Sequence, residues 1–254
     1  MFKGFYTATS GMLTQSRIMN TISNNISNAS TPGYKSDTLA TTTFGDVMIA
    51  RTGNKDKSTY TDLNTSSAIR TADELVTNYA EGSLDFTDRK LDFAVSGKGF
   101  FEIQTPDGET RYTRNGSFTI DNDGYLTLPH IGKVMGQDGN PIKLTTDKIS
   151  VDKEGNISDA DTGKKTGQII KIAGFNDYKM LQKIDEGMFE NANATNVATT
   201  TGGEVHQGAL ERSNVTAMDQ MMGMMTSQRA FQSASQIAKQ YDQLMGKAVE
   251  LGAL

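Results

Sequence analysis

Residues 5–29, FYTATSGMLTQSRIMNTISNNISNA, decide how this chain is read. Phe5, Ala8, Met12, Gln15, Met19, Ile22, Ile26 and Ala29 recur at alternating gaps of three and four, and only Gln15 breaks the apolar seam. A seam that repeats about every 3.5 residues keeps one stripe of a helix facing a partner, which is the mark of a coiled coil. The far end of the chain carries the same pattern without a break, at Ala230, Ala234, Ile237, Tyr241, Leu244, Ala248 and Leu251. Two such ends flanking strand-and-turn sequence are expected to cover each other or a neighbouring molecule. This argues for assembly rather than catalysis.

The first helix is a weak one taken alone. Gly4, Gly11 and many Thr, Ser and Asn residues disfavour helix, each Gly by about 1 kcal/mol relative to Ala. Its face opposite the seam is neutral and polar, with Thr7, Thr9, Ser10, Thr14, Asn20, Thr21, Asn24 and Asn28, and no acid occurs between residues 1 and 36. A face without charge suits burial against other chains, where an unpaired ion is costly. Thr31, Pro32, Gly33 and Tyr34 then end the element, because proline restrains its predecessor and glycine supplies the turn.

Residues 36–80 are rich in Thr, Ser and Asp and keep no sustained period, and they read as an extended connector. From residue 81 to 190 the pattern is all-β: Leu91–Val95, Gly99–Ile103, Arg111–Arg114, Ser117–Asp121 and Tyr125–Leu128 are short runs, with Gly108, Gly116, Gly124 and Gly132 eight residues apart as candidate turns. Pro106-Asp107-Gly108 and Asp123-Gly124 are hairpin signals. Residues 191–207, poor in apolar side chains, read as a linker. The last segment, 208–254, reads as a helix capped by Ser213, Asn214 and Val215, a rod of about 50 Å at 1.5 Å per residue. The expected fold class is α+β: terminal helices (1–35 and 208–254) paired as a coiled-coil inner domain, and a central β domain carried outside on the connector.

Composition narrows function by exclusion. A formal charge of −5 over 254 residues speaks against a nucleic-acid partner, and the chain has no cysteine for disulfides, thiol catalysis or metal ligation. No apolar run reaches the about 20 residues a transmembrane helix needs, and no secretory leader is recognisable, so a route other than a cleaved signal is expected for any export. His130 and His206 lack a second ligand at a metal-like spacing and read as surface residues. Gly97-x-Gly99 lacks the third glycine and the helix of a dinucleotide site. Asp121-Asn122-Asp123-Gly124 lacks the acid spacing of a calcium loop and reads as a hairpin turn. Neither a catalytic group, a cofactor nor a metal is expected. Met218, Met221, Met222, Met224 and Met225 read as helical core or as an adaptable interface. The Asn-x-Ser/Thr triplets at Asn64, Asn115 and Asn214 are expected by chance in so Asn- and Thr-rich a chain.

Three separated motifs resemble the bacterial flagellar basal-body rod proteins, which belong with the hook protein among the flagellar axial proteins. The first, Ile22 to Lys35, includes Asn24, Asn25, Asn28, Pro32, Gly33 and Tyr34. The second runs through Gly82–Leu84, Leu91–Val95, Gly97, Gly99–Phe101, Tyr112–Arg114, Gly116 and Phe118. The third comprises Leu210, Glu211, Ser213, Asn214 and Val215, followed by Gln228–Phe231. The resemblance implies terminal helices lining a tube, an outer β domain, and a helical homopolymer in the flagellar basal body that meets other rod and hook proteins. It further implies the flagellar type III export apparatus as a partner, with ring or bushing proteins as further candidates. Gln228–Phe231 leans toward the distal rod; the tail after Tyr241 leans toward a proximal-rod or hook-family paralogue. A secreted cell-wall hydrolase and an organelle-imported protein are the readings from other classes.

Overall fold

The structure is a computed structural model that describes residues 2–44, 47–51, 61–66, 69–160, 163–184, 187–193, 196, 199–200 and 203–252. The chain is α+β and divides into two compact units, one of residues 1–26, 37–76 and 217–254, the other of residues 27–36 and 77–216.

The first unit holds helix α1, Phe2–Ser27, and helix α2, Ala217–Gly252. Asn25 Nδ2 donates to Gln220 Oε1 at 3.2 Å. A Cβ added to Gly223 would meet Ile22 Cδ1 at 3.4 Å, and one added to Gly4 would stand 2.4 Å from Tyr241 Oη. Positions along α2 fall as positions along α1 rise, so the helices lie antiparallel at these points. The contacts establish neighbouring helices and not a knobs-into-holes coiled coil. Gly4, unfavourable for the helix itself, is where the Tyr241 ring comes close.

The hydroxyls that make α1 a poor isolated helix are satisfied within it. Thr9, Ser10, Thr14 and Thr21 donate to the carbonyls of Phe5, Thr7, Ser10 and Arg17 at 2.9, 3.0, 2.9 and 3.1 Å. Such back-bonding lets a polar side chain be covered without leaving an orphan donor.

The same unit contains β1, Asp37–Phe44, β2, Val47–Arg51, β3, Thr61–Ser66, and β4, Ile69–Thr77. β1 pairs with β4, and β2 with β3 in antiparallel register from Val47↔Ser66 to Arg51↔Thr61. The segment read as connector is therefore strand paired with strand, and residues 45–46, 52–60 and 67–68 of it lie outside the described residues. Threonine-rich sequence without alternation gives no register to read from the residues alone.

The second unit comprises β5, Leu84–Phe86, β6, Phe93–Ser96, β7, Phe100–Gln104, β8, Thr110–Thr113, β9, Thr119–Ile120, β10, Leu126–Leu128, and β11, Gly132–Val134. It continues with β12, Ile149–Val151, β13, Asn156–Asp159, β14, Lys165–Ile169, β15, Ile172–Gly174, β16, Leu181–Lys183, β17, Met188–Asn191, β18, Thr199–Thr200, β19, Glu204–Gln207, and β20, Ala209–Glu211. The main sheet runs β16–β17–β8–β7–β11–β10–β9, with β15 paired to both β7 and β18. Its larger core gathers Phe93, Phe101, Ile103, Phe118, Leu126, Ile142, Ile157 and Val205. A smaller cluster joins Phe100, Tyr112, Phe175, Leu181 and Phe189. Each fully buried aromatic or aliphatic side chain of this kind stabilises by roughly 1.5–3 kcal/mol, so the core alone explains why this unit is compact.

Two expectations are corrected here. The stretch 191–207 does not leave the β unit. β19 returns to pair with β6, placing Val205 opposite Val95, and Gln207 accepts from Val151 N–H at 3.0 Å while donating to Ile149 O at 2.9 Å. Its Asn-, Thr- and Gly-rich composition hid a strand whose anchoring is one buried Val and one bridging Gln; residues 194–195, 197–198 and 201–202 lie outside the described residues. Nor does helix begin near 208. β20 intervenes and pairs with β5, and α2 starts at Ala217.

Glycine spacing is also resolved into two causes. Gly108 and Gly124 take φ of 85° and 83° in hairpin turns, as their neighbours imply. Gly116 and Gly132 have no positive φ; a Cβ there would lie 1.8 Å from Phe93 O and 2.2 Å from Gln104 O, so they are glycine for close backbone approach.

Candidate functional site

The three motifs singled out in the sequence meet at one buried carboxylate. Glu211, at the end of β20, is 1% exposed. Its Oε1 accepts from Lys35 Nζ at 2.6 Å and from Gly82 N–H at 2.9 Å, and its Oε2 accepts from Arg114 Nη1 at 3.0 Å. Its backbone oxygen accepts from Gly33 N–H at 2.7 Å. One residue of the third motif thus holds the first motif by main chain and side chain, and the second motif at two places.

Each cation is held in turn by carbonyls. Lys35 Nζ donates to Ala80 O at 2.8 Å, and Arg114 donates to Val95 O at 3.0 Å and Gly97 O at 2.6 Å. Arg114 also stands 5.2 Å from the centre of the Phe100 ring. Lys35 is 1% exposed and Arg114 3%. Burial pushes the Lys35 ammonium below the usual lysine range, and Glu211 beside it pushes back. Two cations and one anion out of water are tolerable because the carboxylate takes three donors and carbonyls take further protons of both cations, although the buried Arg114 Nε finds no partner.

Glycine makes the approach possible. A Cβ on Gly82 would lie 1.9 Å from Arg212 O, and one on Gly33, whose φ is 69°, would lie 2.3 Å from the carbonyl carbon of Arg114. Tyr34, 5% exposed, lies under Lys183, whose Nζ is 3.7 Å from the ring centre and donates to Lys35 O at 2.6 Å.

Asn214 is a second tie and not a helix cap. Its Oδ1 accepts from Ser36 N–H at 2.8 Å, and its Nδ2 donates to Asn78 O at 2.8 Å and Ala80 O at 3.1 Å. Ser213 turns its hydroxyl on the chain locally, accepting from Val215 N–H at 3.3 Å. Leu210 and Val215 are half-buried beside them, and Pro32 precedes the Gly33 turn, with Thr31 Oγ1 donating to Asn28 Oδ1 at 3.3 Å. Within the first unit, Asn25, 1% exposed, acts like a strand neighbour of β1: Nδ2 donates to Asp37 O at 2.8 Å and Oδ1 accepts from Asp37 N–H at 3.0 Å. Asn24 is exposed.

The two seams are placed differently. Phe5, Ala8, Met12, Met19, Ile22, Ile26 and Ala29 are all buried or half-buried. On α2, Ala230, Ala234 and Tyr241 are half-buried, whereas Ile237, Leu244 and Leu251 are 47, 62 and 74% exposed and Ala248 is exposed too. Met218, Met221, Met222 and Met225 are likewise exposed and Met224 is half-buried, so four of that cluster are not core.

Sequence reasoning quoted Lys35, Gly82 and Arg114 inside motifs without giving them a part. The available signal was charge: a lone Lys after Tyr34 and a lone Arg after a strand, each within sequence bound for burial. His206 falls on β19 rather than in a linker, and His130 takes a φ of 65°. Among the described residues no three His, Asp or Glu stand together as metal ligands, and no helix is long and apolar enough to cross a membrane. The carboxylate at the node faces two cations and a backbone N–H, and it holds chain segments in place.

Known families match along the chain in three places. Residues 5–35 match the flagella basal body rod protein family, residues 94–159 the flagellar hook protein FlgE/F/G D1 domain, and residues 206–251 the flagellar basal body rod FlgEFG protein C-terminal family. The flagellar basal-body rod protein FlgG of Bacillus subtilis is 33% identical, with 99% of each chain covered. FlgF of Caulobacter vibrioides is 28% identical over 98% of each, and the flagellar hook-basal body complex protein FlhO of Bacillus subtilis is 27% identical over the full length of both.

Proposed function

This chain belongs to the flagellar basal-body rod protein family, and we propose that within it the chain is a distal-rod subunit that stacks helically into the hollow drive shaft of the motor. Membership makes it a structural subunit of the rod, located in the flagellar basal body, serving motility and assembling with other rod and hook components. The family is a structural one, which leaves the hydrolase reading without support.

The observation that carries the mechanical reading is the exposed apolar side of α2. Ile237, Leu244 and Leu251 repeat along the helix and are 47, 62 and 74% exposed among the described residues. Heterologous contacts that do not close into a ring propagate as helical filaments, and continuous packed seams resist torsion. In this reading α1 and α2 line the bore, and the β unit of residues 27–36 and 77–216 forms the outer surface. Subunits travel through the flagellar type III apparatus with weakly helical ends, and burial between subunits offsets the cost of ordering them. Ring or bushing proteins would meet the outer surface. Relatives named FlgG across nearly the whole length favour the distal position; FlgF and FlhO support a proximal or hook-family paralogue as the second reading.

Proteomics of purified hook–basal bodies, paired with electron microscopy of a deletion strain, tests this. The chain should be a multi-copy component, and the deletion should leave truncated rods whose length separates distal from proximal. Its absence from the complexes, with rods intact, would sink the proposal. Proline at Ile237 or Leu244 should likewise abolish rods while the β unit stays folded.

A further inference from the structure

We infer that residues 33–36 and 211–214 form a mechanical clamp: tension applied across the two ends of the chain is carried in shear by the bonds between these segments before it reaches the β core. The clamp stands on hydrogen-bond geometry within the β unit, and its use as a path for load rests on the drive-shaft reading above.

The order of the contacts sets how the clamp is loaded. Gly33 N–H donates to Glu211 O at 2.7 Å, Asn214 N–H to Tyr34 O at 3.4 Å, and Ser36 N–H to Asn214 Oδ1 at 2.8 Å. Partner numbers rise together, so the two segments run side by side in the same direction. Tension enters the first from its N-terminal side, through Pro32, and leaves the second from its C-terminal side, through Val215. Parallel segments drawn from opposite ends must slide past each other, which stretches every bond between them at once. One hydrogen bond contributes only about 1 kcal/mol, so resistance comes from loading the set together. Side chains oppose the same slide. It would drag the Lys35 ammonium from Glu211 Oε1 at 2.6 Å and from Ala80 O at 2.8 Å, separating a buried ion pair. Asn214 Nδ2, bonded to Asn78 O and Ala80 O, ties residues 78–80 to the clamp as a third segment.

The helix pair responds to the same tension in the opposite way. Gly4 lies next to Tyr241 near the free ends of α1 and α2, and Ile22 lies next to Gly223 at their other ends. Antiparallel partners drawn apart from their free ends separate one contact at a time, so the pair peels and passes the load on. Residues 37–210 lie between the two clamped segments in sequence, so none of them is stretched until the clamp slips. The core around Phe93, Phe101 and Phe118 is thereby kept out of the path of the load.

The test pulls single full-length chains under constant tension between handles at the two termini and records extension and lifetime. The chain has no cysteine of its own, so one cysteine added at each end attaches the handles. Once the helices have peeled, the extension should hold on one plateau, whose end frees residues 37–210, about 600 Å of extended chain. Asn214→Ala removes the bond from Ser36 and both bonds to residues 78–80, and should shorten the plateau about tenfold or more. Lys35→Met strikes the same slide through another residue and should shorten it about threefold or more. Ile157→Val, a change in the core, should lower stability in denaturant and leave the plateau lifetime as it was. Extension from within residues 37–210 before the plateau ends, lifetimes unchanged in both clamp variants, or equal shortening by Ile157→Val would each overturn the clamp. A deletion strain with intact rods would sink the drive-shaft reading and leave the pulling result to decide the clamp by itself.

Discussion

Glu211 and Leu244 lie only 33 residues apart in sequence and represent opposite conditions: the first is 1% exposed and bound by three donors of its own unit, the second 62% exposed on a helix with a bare side. The β unit completes itself. It draws residues 27–36 and 204–216 back onto its strands and pairs Lys35 and Arg114 with Glu211 internally. The helices of the other unit complete only one face each. A subunit built this way has one part that buries its own apolar side chains and ions and one that leaves apolar side chains of α2 exposed.

The comparison breaks most severely at the node. Glu211→Ala leaves Lys35 and Arg114 as two buried cations with no counter-charge, and should cost the β unit about 3–5 kcal/mol in denaturant unfolding. Lys35→Met should cost less than about 2 kcal/mol, because Arg114 still pairs with Glu211, Gly82 N–H still binds Oε1, and Ala80 O keeps Asn214. Finding the lysine variant as damaging as the alanine one would mean that charge balance is not what holds the node. Gly82→Ala forces a methyl toward Arg212 O and should cost about 1–3 kcal/mol by the same measurement.

A pH titration sharpens the contrast. Burial, with Glu102 nearby, pushes the Tyr112 phenol up to about 12 from 10.0. The unfolded chain releases that proton first, so the β unit should lose stability as pH rises from 10 toward 12. Tyr112→Phe should flatten that fall; a curve unchanged in the variant would put the loss elsewhere. Lys35 works in the opposite sense, since its lowered value means that the unfolded state holds the proton longer and stability gains as pH climbs toward the ordinary lysine range. The smallest effect on folding belongs to the helix surface. Leu244→Ser should change unfolding by under about 0.5 kcal/mol while preventing rod formation scored by electron microscopy. Marked destabilisation of the isolated chain would show that the position is already packed.

Some of this was legible in the residues. Gaps of three and four marked both helices, although the first ends at Ser27, ahead of the Pro32-Gly33 stop, and Asp123-Gly124 marked a hairpin that closes with Gly124 N–H bonded to Asp121 O at 2.9 Å. These are local matters, fixed by φ preference and by which side of an element is apolar.

Other features depended on residues distant in sequence. That Lys35, Gly82, Arg114 and Glu211 share one site, that Gly116 and Gly132 serve close approach instead of turns, and that residues 204–207 return to β6 are consequences of long-range strand pairing. Local composition carries no record of a partner a hundred residues away. By itself, then, the sequence determined the two terminal helices, the hairpin turns and the motifs of a rod-family chain, because those follow from local geometry and periodicity. The tertiary structure alone decided which motif residues meet and which seam residues stay bare, because ion pairing and burial are properties of what the fold brings within a few ångströms.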